Sequence, residues 1–117
     1  MKVPQLQRFA DVRELAAGDE VFREGDPGDV MYIVDDGDVD LVIRGRVIHT
    51  VGPGSIFGEM ALIDSSPRSA TAVARTACRL LPIDEERFRY LVKETPNFAL
   101  EVLRVMAERL RRMDERA

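Results

Sequence analysis

The chain has 117 residues, a formal net charge of −4, and 45% apolar against 32% charged side chains. This is the composition of one ordinary globular domain, with too little chain for two cores. The acidic balance argues against a reader of nucleic-acid backbones, no apolar run reaches membrane-spanning length, and Met1-Lys2-Val3-Pro4 does not lead into the apolar stretch of a secretory signal.

Residues 5–9 are a short helical candidate, after which the pattern turns to β. Short strands are expected at 12–15 and 20–22, joined at Ala17-Gly18-Asp19. Residues 30–34 are apolar on both faces, as in an interior strand. Asp36-Gly37 lies between two apolar runs and predicts a hairpin turn. Val39, Leu41 and Ile43 then alternate with Asp40 and Arg44, giving a half-buried strand. Gly45 turns the chain into a strand at 46–51, which Gly52-Pro53-Gly54 ends; residues 70–74 and 79–82 supply the last strands. Many short strands broken by Gly and Pro imply a sandwich or a barrel.

After Ile83 the period becomes helical. Asp84 is an N-cap with Glu85 and Glu86 in the first turn, where carboxylates favour the helix dipole. Phe88, Leu91 and Val92 share one face. Thr95-Pro96 restarts the helix, which runs from about 96 to 115. Within it Ala99, Leu103, Met106, Leu110 and Met113 recur at spacings of four and three, a heptad-like seam. Two readings are open: a helix lying on its own barrel, or a helix-to-helix contact in a homodimer. The domain is expected to be single over 1–117, with the β part at 12–83 and the C-terminal helices at 84–116. Cys78 stands alone in an apolar run, which excludes an internal disulfide and fits a small buried residue in a reducing, cytoplasmic setting.

The most informative stretch is Phe57-Gly58-Glu59-Met60-Ala61-Leu62, followed by Pro67-Arg68-Ser69-Ala70-Thr71. Gly58 allows a positive φ or a close backbone approach. Residues 60–63 can wind into one turn of helix whose first N–H groups have no partner and favour an anion. Arg68 adds a planar fork that grips a phosphate through two parallel hydrogen bonds. Glu59 is a carboxylate set among burying residues, which calls for a specific partner. One acceptor and one fork donor suit a ligand with a hydroxyl at one edge and a phosphate at the other.

Residues 57–72 resemble the phosphate-binding cassette of cyclic-nucleotide-binding domains, the sensor modules of catabolite-activator-type regulators, nucleotide-gated channels and cyclic-nucleotide-dependent kinases. The likeness extends upstream to Gly18-Asp19-Glu20-Val21-Phe22-Arg23-Glu24-Gly25-Asp26-Pro27-Gly28, Met31-Tyr32-Ile33-Val34 and Gly37, and covers roughly residues 12–113. The resemblance implies a mainly β double-stranded β-helix, or jelly roll, with a short N-terminal helical segment and two C-terminal helices. It assigns the ribose hydroxyl to Glu59 and the cyclic phosphate to Arg68. Backbone N–H groups near Ala61 and Ala70 back the phosphate, and Gly58, Met60 and Ser69 complete the cassette. It leaves the ligand as cAMP ahead of cGMP, since a hydroxyl such as that of Ser69 occurs with both bases. Val47 and Ile48 are candidates for the apolar wall of the base. By the same resemblance Arg109 packs over the pocket, where it can reach Glu59; a solvated network with neighbouring charges is the alternative. Ligand binding would move the last two helices, and that movement would be read by an effector. No helix-turn-helix pair follows, so the expectation is a sensor without an attached output domain.

Two other functions compete. The same fold can serve as a binding module for another ligand or a protein partner, against which the Glu59 and Arg68 pair speaks. A cupin-like jelly-roll enzyme needs two or more histidines with carboxylate support for its metal, and His49 is the only histidine. No nucleophile has an adjacent base, so neither a metal nor a catalytic residue is expected.

Overall fold

The computed structural model describes residues 11–116, with side chains as far as residue 112. The helical candidate at 5–9 lies outside the described residues. The elements are β1 (Arg13–Leu15), β2 (Glu20–Phe22), β3 (Met31–Asp36), β4 (Val39–Ile43), β5 (Arg46–Val51), β6 (Ile56–Phe57), α1 (Glu59–Asp64), β7 (Thr71–Ala74), β8 (Cys78–Ile83), α2 (Glu85–Glu94) and α3 (Asn97–Arg116). The strands form two four-stranded sheets in the orders β1-β8-β3-β6 and β2-β7-β4-β5, with antiparallel pairing throughout. The pairs are nested: β4 with β5, β3 with β6, β2 with β7, and β1 with β8. Such nesting is one long double-stranded hairpin rolled on itself, the jelly-roll connection.

The first sheet is buried on both faces, which explains the unbroken apolar run of β3. Tyr32, Val34, Phe57 and Leu80 point between the sheets, where they meet Val39, Leu41 and Ala72 of the second. Met31, Ile33, Ile56, Leu81 and Ile83 point the other way, onto Leu91 of α2 and Phe98 and Val102 of α3. Phe88 and Phe98 meet edge to face at 5.6 Å and hold α2 against α3. Each fully buried side chain of this size contributes about 1.5–3 kcal/mol. The cap at Asp84 is as expected: its carboxylate accepts from the Arg87 N–H at 2.8 Å.

The hairpin expected at Asp36-Gly37 is corrected by the sheet order, since β3 and β4 lie in different sheets. Gly37 does turn the chain, at φ 85°, but it carries a crossover. That crossover is tied to the β7–β8 turn by Asp38 N–H to Thr76 Oγ1 at 3.0 Å and Arg75 N–H to Asp38 O at 2.9 Å. The tight hairpin is at Arg44-Gly45, where both residues have positive φ and Ile43 pairs with Arg46. The heptad-like seam divides between the two readings left open for it, with Met106 on the barrel and Leu103 and Leu110 turned outward. The residues that pack on the first sheet are Phe98, Val102, Val105 and Met106, whereas Leu103 and Leu110 are 59% and 61% exposed.

Candidate functional site

The site forms where β6 passes into α1. Gly58 takes φ 76° in the left-handed region and swings the chain from strand into helix, which a side chain at that position would oppose. Glu59, first in the helix, is turned inward and is 3% exposed. Its carboxylate does not stand alone. Arg109 of α3 donates through one terminal nitrogen to Glu59 Oε1 and through the other to the Ile56 carbonyl.

Arg68 lies in the loop between α1 and β7 and is 6% exposed. Its Nη1 donates to the Gly58 carbonyl at 3.0 Å and its Nη2 to the Val30 carbonyl at 2.7 Å. The guanidinium carbon stands 4.1 Å from the centre of the Phe22 ring. Its main chain is pinned as well: Arg68 N–H donates to Asp26 O at 2.8 Å, and Arg68 O accepts from Gly25 N–H at 2.7 Å. Gly28 lines the other side so closely that a Cβ there would come 2.3 Å from Arg68 Nε.

Electrostatically the position is costly. Burial lowers the Arg68 pKa from the ordinary arginine value, opposed by the charges of Tyr32, Asp29, Asp26 and Glu59, although a guanidinium stays charged in any case. Among the described residues no carboxylate lies within salt-bridge distance of Arg68. Its Nε is buried with no acceptor, and the same holds for Nε of Arg109. A buried cation without a counter-ion is strongly unfavourable unless an anion completes it. An orphan N–H beside a gripped guanidinium fits a phosphate oxygen.

Four of the expected site residues, Gly58, Glu59, Arg68 and Arg109, therefore come together through direct contacts. Ala61 and Ala70 are buried beside them, while Met60 is 44% exposed and Ser69 is exposed. The two candidates for an apolar wall separate: Val47 is 56% exposed, whereas Ile48 packs on the core. Phe22, Gly28 and Val30, which frame Arg68, are not singled out by the sequence as site residues. The one available signal is the glycine spacing at 25 and 28, which marks a close backbone approach without naming its partner. Among the described residues no group of three His, Cys, Asp or Glu is placed to hold a metal, and no helix is long and apolar enough to cross a membrane.

The family model for the cyclic nucleotide-binding domain matches residues 12–95. A cAMP-dependent protein kinase regulatory subunit of Eremothecium gossypii is 47% identical over 78 residues, 67% of this chain and 17% of that protein. A CRP-like cAMP-activated global transcriptional regulator of Mycobacterium tuberculosis is 37% identical over 100 residues, 81% of this chain and 45% of that one. The chain thus spans less than half the length of these relatives. The catabolite activator protein of Thermus thermophilus superposes with a TM-score of 0.79 at 35% identity, covering 91% of this chain and 52% of that one. A structure from a cyclic-GMP-dependent signalling pathway of bacterial phytopathogenesis superposes with a TM-score of 0.76 at 34% identity, over 94% of both chains. On the strength of the family match and these relatives, the chain belongs to the cyclic nucleotide-binding domain family.

Proposed function

We propose that this domain binds cAMP, with cGMP as the second ligand, and that it does so by binding alone, without catalysis. The observation that carries the proposal is Arg68: a buried guanidinium held by two carbonyls and an aromatic face, with one orphan N–H and no carboxylate counter-ion among the described residues. The cyclic phosphate supplies that charge. Glu59 accepts from the ribose hydroxyl with the lone pairs that Arg109 leaves, and backbone N–H groups near Ala61 and Ala70 support the phosphate. The names of the kinase and transcription-factor relatives favour cAMP, while the cyclic-GMP pathway structure keeps cGMP in view.

Ligand binding would be read through α3, because Arg109 joins that helix to the same carboxylate that meets the ribose. A ligand that changes the Glu59–Arg109 contact acts differently on the two positions of the helix, which a population shift requires. The exposed Leu103 and Leu110 support α3 as the face presented to an effector or a second copy. The reading includes a cytoplasmic setting, in which a lone thiol stays reduced.

The test is calorimetry with cAMP and cGMP. A ligand of this size should bind in the micromolar range or tighter. Arg68→Ala is expected to cost roughly 2–5 kcal/mol of binding, whereas Arg111→Ala on the exposed side of α3 should cost almost nothing. Absence of binding at millimolar nucleotide, or equal losses from the two substitutions, would overturn the proposal.

A further inference from the structure

Among the described residues the apolar anchors of α3 in the core end at Met106, and Leu110 beyond it is exposed. Past that point the helix reaches back to the barrel through hydrogen bonds. Arg109 donates to Glu59 and to the Ile56 carbonyl. Arg112, one turn on, meets Nδ1 of His49 on β5 through its Nη1, while its Nη2 donates to Glu108 at 2.9 Å. Both Arg112 and His49 are half-buried. A guanidinium has only donors, so the ring nitrogen that faces it is an unprotonated acceptor. His49 is also the only histidine of the chain, hence the one side chain whose ordinary titration falls between about pH 5 and 8.

We propose that the contact between Arg112 and His49 is a proton-sensitive latch for the end of α3, closed near neutral pH and opened in mild acid. Protonating His49 removes the acceptor and sets an imidazolium against a guanidinium. The undocked helix end takes up that proton more readily than the docked one. Docking is therefore complete above the ordinary imidazole value of about 6.5 and weakens as pH falls below it. The charged groups on the neighbouring elements are already engaged or carry the same sign as Arg112. Glu108 accepts from Arg112, and Glu59 of α1 accepts from Arg109. Asp40 of β4, next to the Leu41 that pairs with His49, accepts from Thr50 Oγ1 at 2.7 Å and lies 4.0 Å from Arg75. Arg46, at the start of β5, is a further cation. The Arg109 tie contains no imidazole, so mild acid loosens the end of the helix and leaves its hold on Glu59 in place. The latch needs no ligand and stands apart from the reading of Arg68 and Glu59.

The experiment is nuclear magnetic resonance on the full chain without nucleotide. The single imidazole reports its own titration, and amide exchange, corrected for the intrinsic effect of pH, reports the docking of residues 107–112. Protection of these amides in the parent should fall about three- to tenfold between about pH 7.5 and about pH 5.5, the scale of one hydrogen bond. Amides of β3 and β8 should keep theirs, which shows that the barrel stays folded in the parent and in each variant. The ring should titrate at lower pH in the parent than in Arg112→Ala, whose helix end should be weakly protected at both pH values. His49→Gln keeps a carbonyl acceptor without a titrating proton and should hold its protection throughout. A ring that titrates alike in the parent and in Arg112→Ala would overturn the latch, as would His49→Gln losing protection in acid as the parent does. Protection unchanged in the parent while the ring titrates would also overturn it, since Glu108 would then have taken the imidazolium as its partner and kept the helix docked.

Discussion

Arg109 of α3 and Glu59 at the start of α1 form an ion pair across 50 residues of chain, and the same guanidinium also holds the Ile56 carbonyl at the start of β6. Glu59 is 5% exposed at its side chain and Arg109 22%, so the pair is far from the surface contacts that screen to nothing. α3 is thereby tied to the candidate site. Among the described residues, the other ion pairs of α3, Arg104 with Glu101 and Arg112 with Glu108, lie within the helix itself.

A double-mutant cycle measures this tie. Arg109→Ala leaves a buried carboxylate without its cation, and Glu59→Gln removes the charge while keeping the shape. The coupling between the two is expected at about 0.5–3 kcal/mol, both in denaturant unfolding and in cAMP affinity. Losses that add to within a few tenths of a kcal/mol would mean that the two residues do not communicate, leaving α3 to respond through packing alone.

Gly28→Ala tests how tightly Arg68 is boxed. The added Cβ would meet Arg68 Nε at 2.3 Å, Cζ at 2.5 Å and Nη2 at 2.8 Å, so the guanidinium must leave its seat over Phe22. The φ of Gly28 is not in the left-handed region, so the backbone itself tolerates alanine. Cyclic-nucleotide affinity should fall at least tenfold while the unfolding midpoint moves by only a few degrees. Unchanged affinity would show that Arg68 does not bind the ligand from this position.

Cys78 provides a pH signature. Its thiol is buried and lies 3.1 Å from the carbonyl oxygens of both Asp38 and Thr76. Burial raises its pKa above the ordinary thiol value, with the contacts to Thr76 pulling the other way. The folded chain then keeps a proton that the unfolded chain releases, so stability holds below the ordinary thiol pKa of about 8.5 and declines as pH rises through the higher folded value. Cys78→Ala should remove this decline in denaturant titrations between neutral and alkaline pH. A thiol that reacts with an aromatic disulfide reagent as fast in the native protein as in denaturant would contradict the burial.

How far the sequence reveals the site depends on how local each part is. Glu59 and Arg68 are legible because the cassette from 57 to 71 is contiguous and its residue types are unusual for a burying segment. Arg109 is accessible only through resemblance, since nothing in a helical period says which of several arginines turns inward. Phe22 and Val30 become site neighbours through their contacts with Arg68, distant in sequence, which a period of two does not encode. Asp36-Gly37 illustrates the same limit: its turn chemistry is real, but whether the flanking strands pair is decided by the rest of the sandwich. β6, at two residues, is too short to show any period.

The nested pairing of the sheets grades the strand contacts by the length of chain each must close. The innermost pair, β4 with β5, closes over the two residues Arg44 and Gly45, whereas the outermost joins Arg13 to Leu80. Loop-closure entropy makes the outer contacts slow to form until the inner ones shorten the effective loop. The seat of Arg68, built from Phe22, Gly28, Val30 and Gly58, draws on both arms of the rolled hairpin. It is complete only when both arms are in place, and a chain that has only its central hairpin formed lacks the seat.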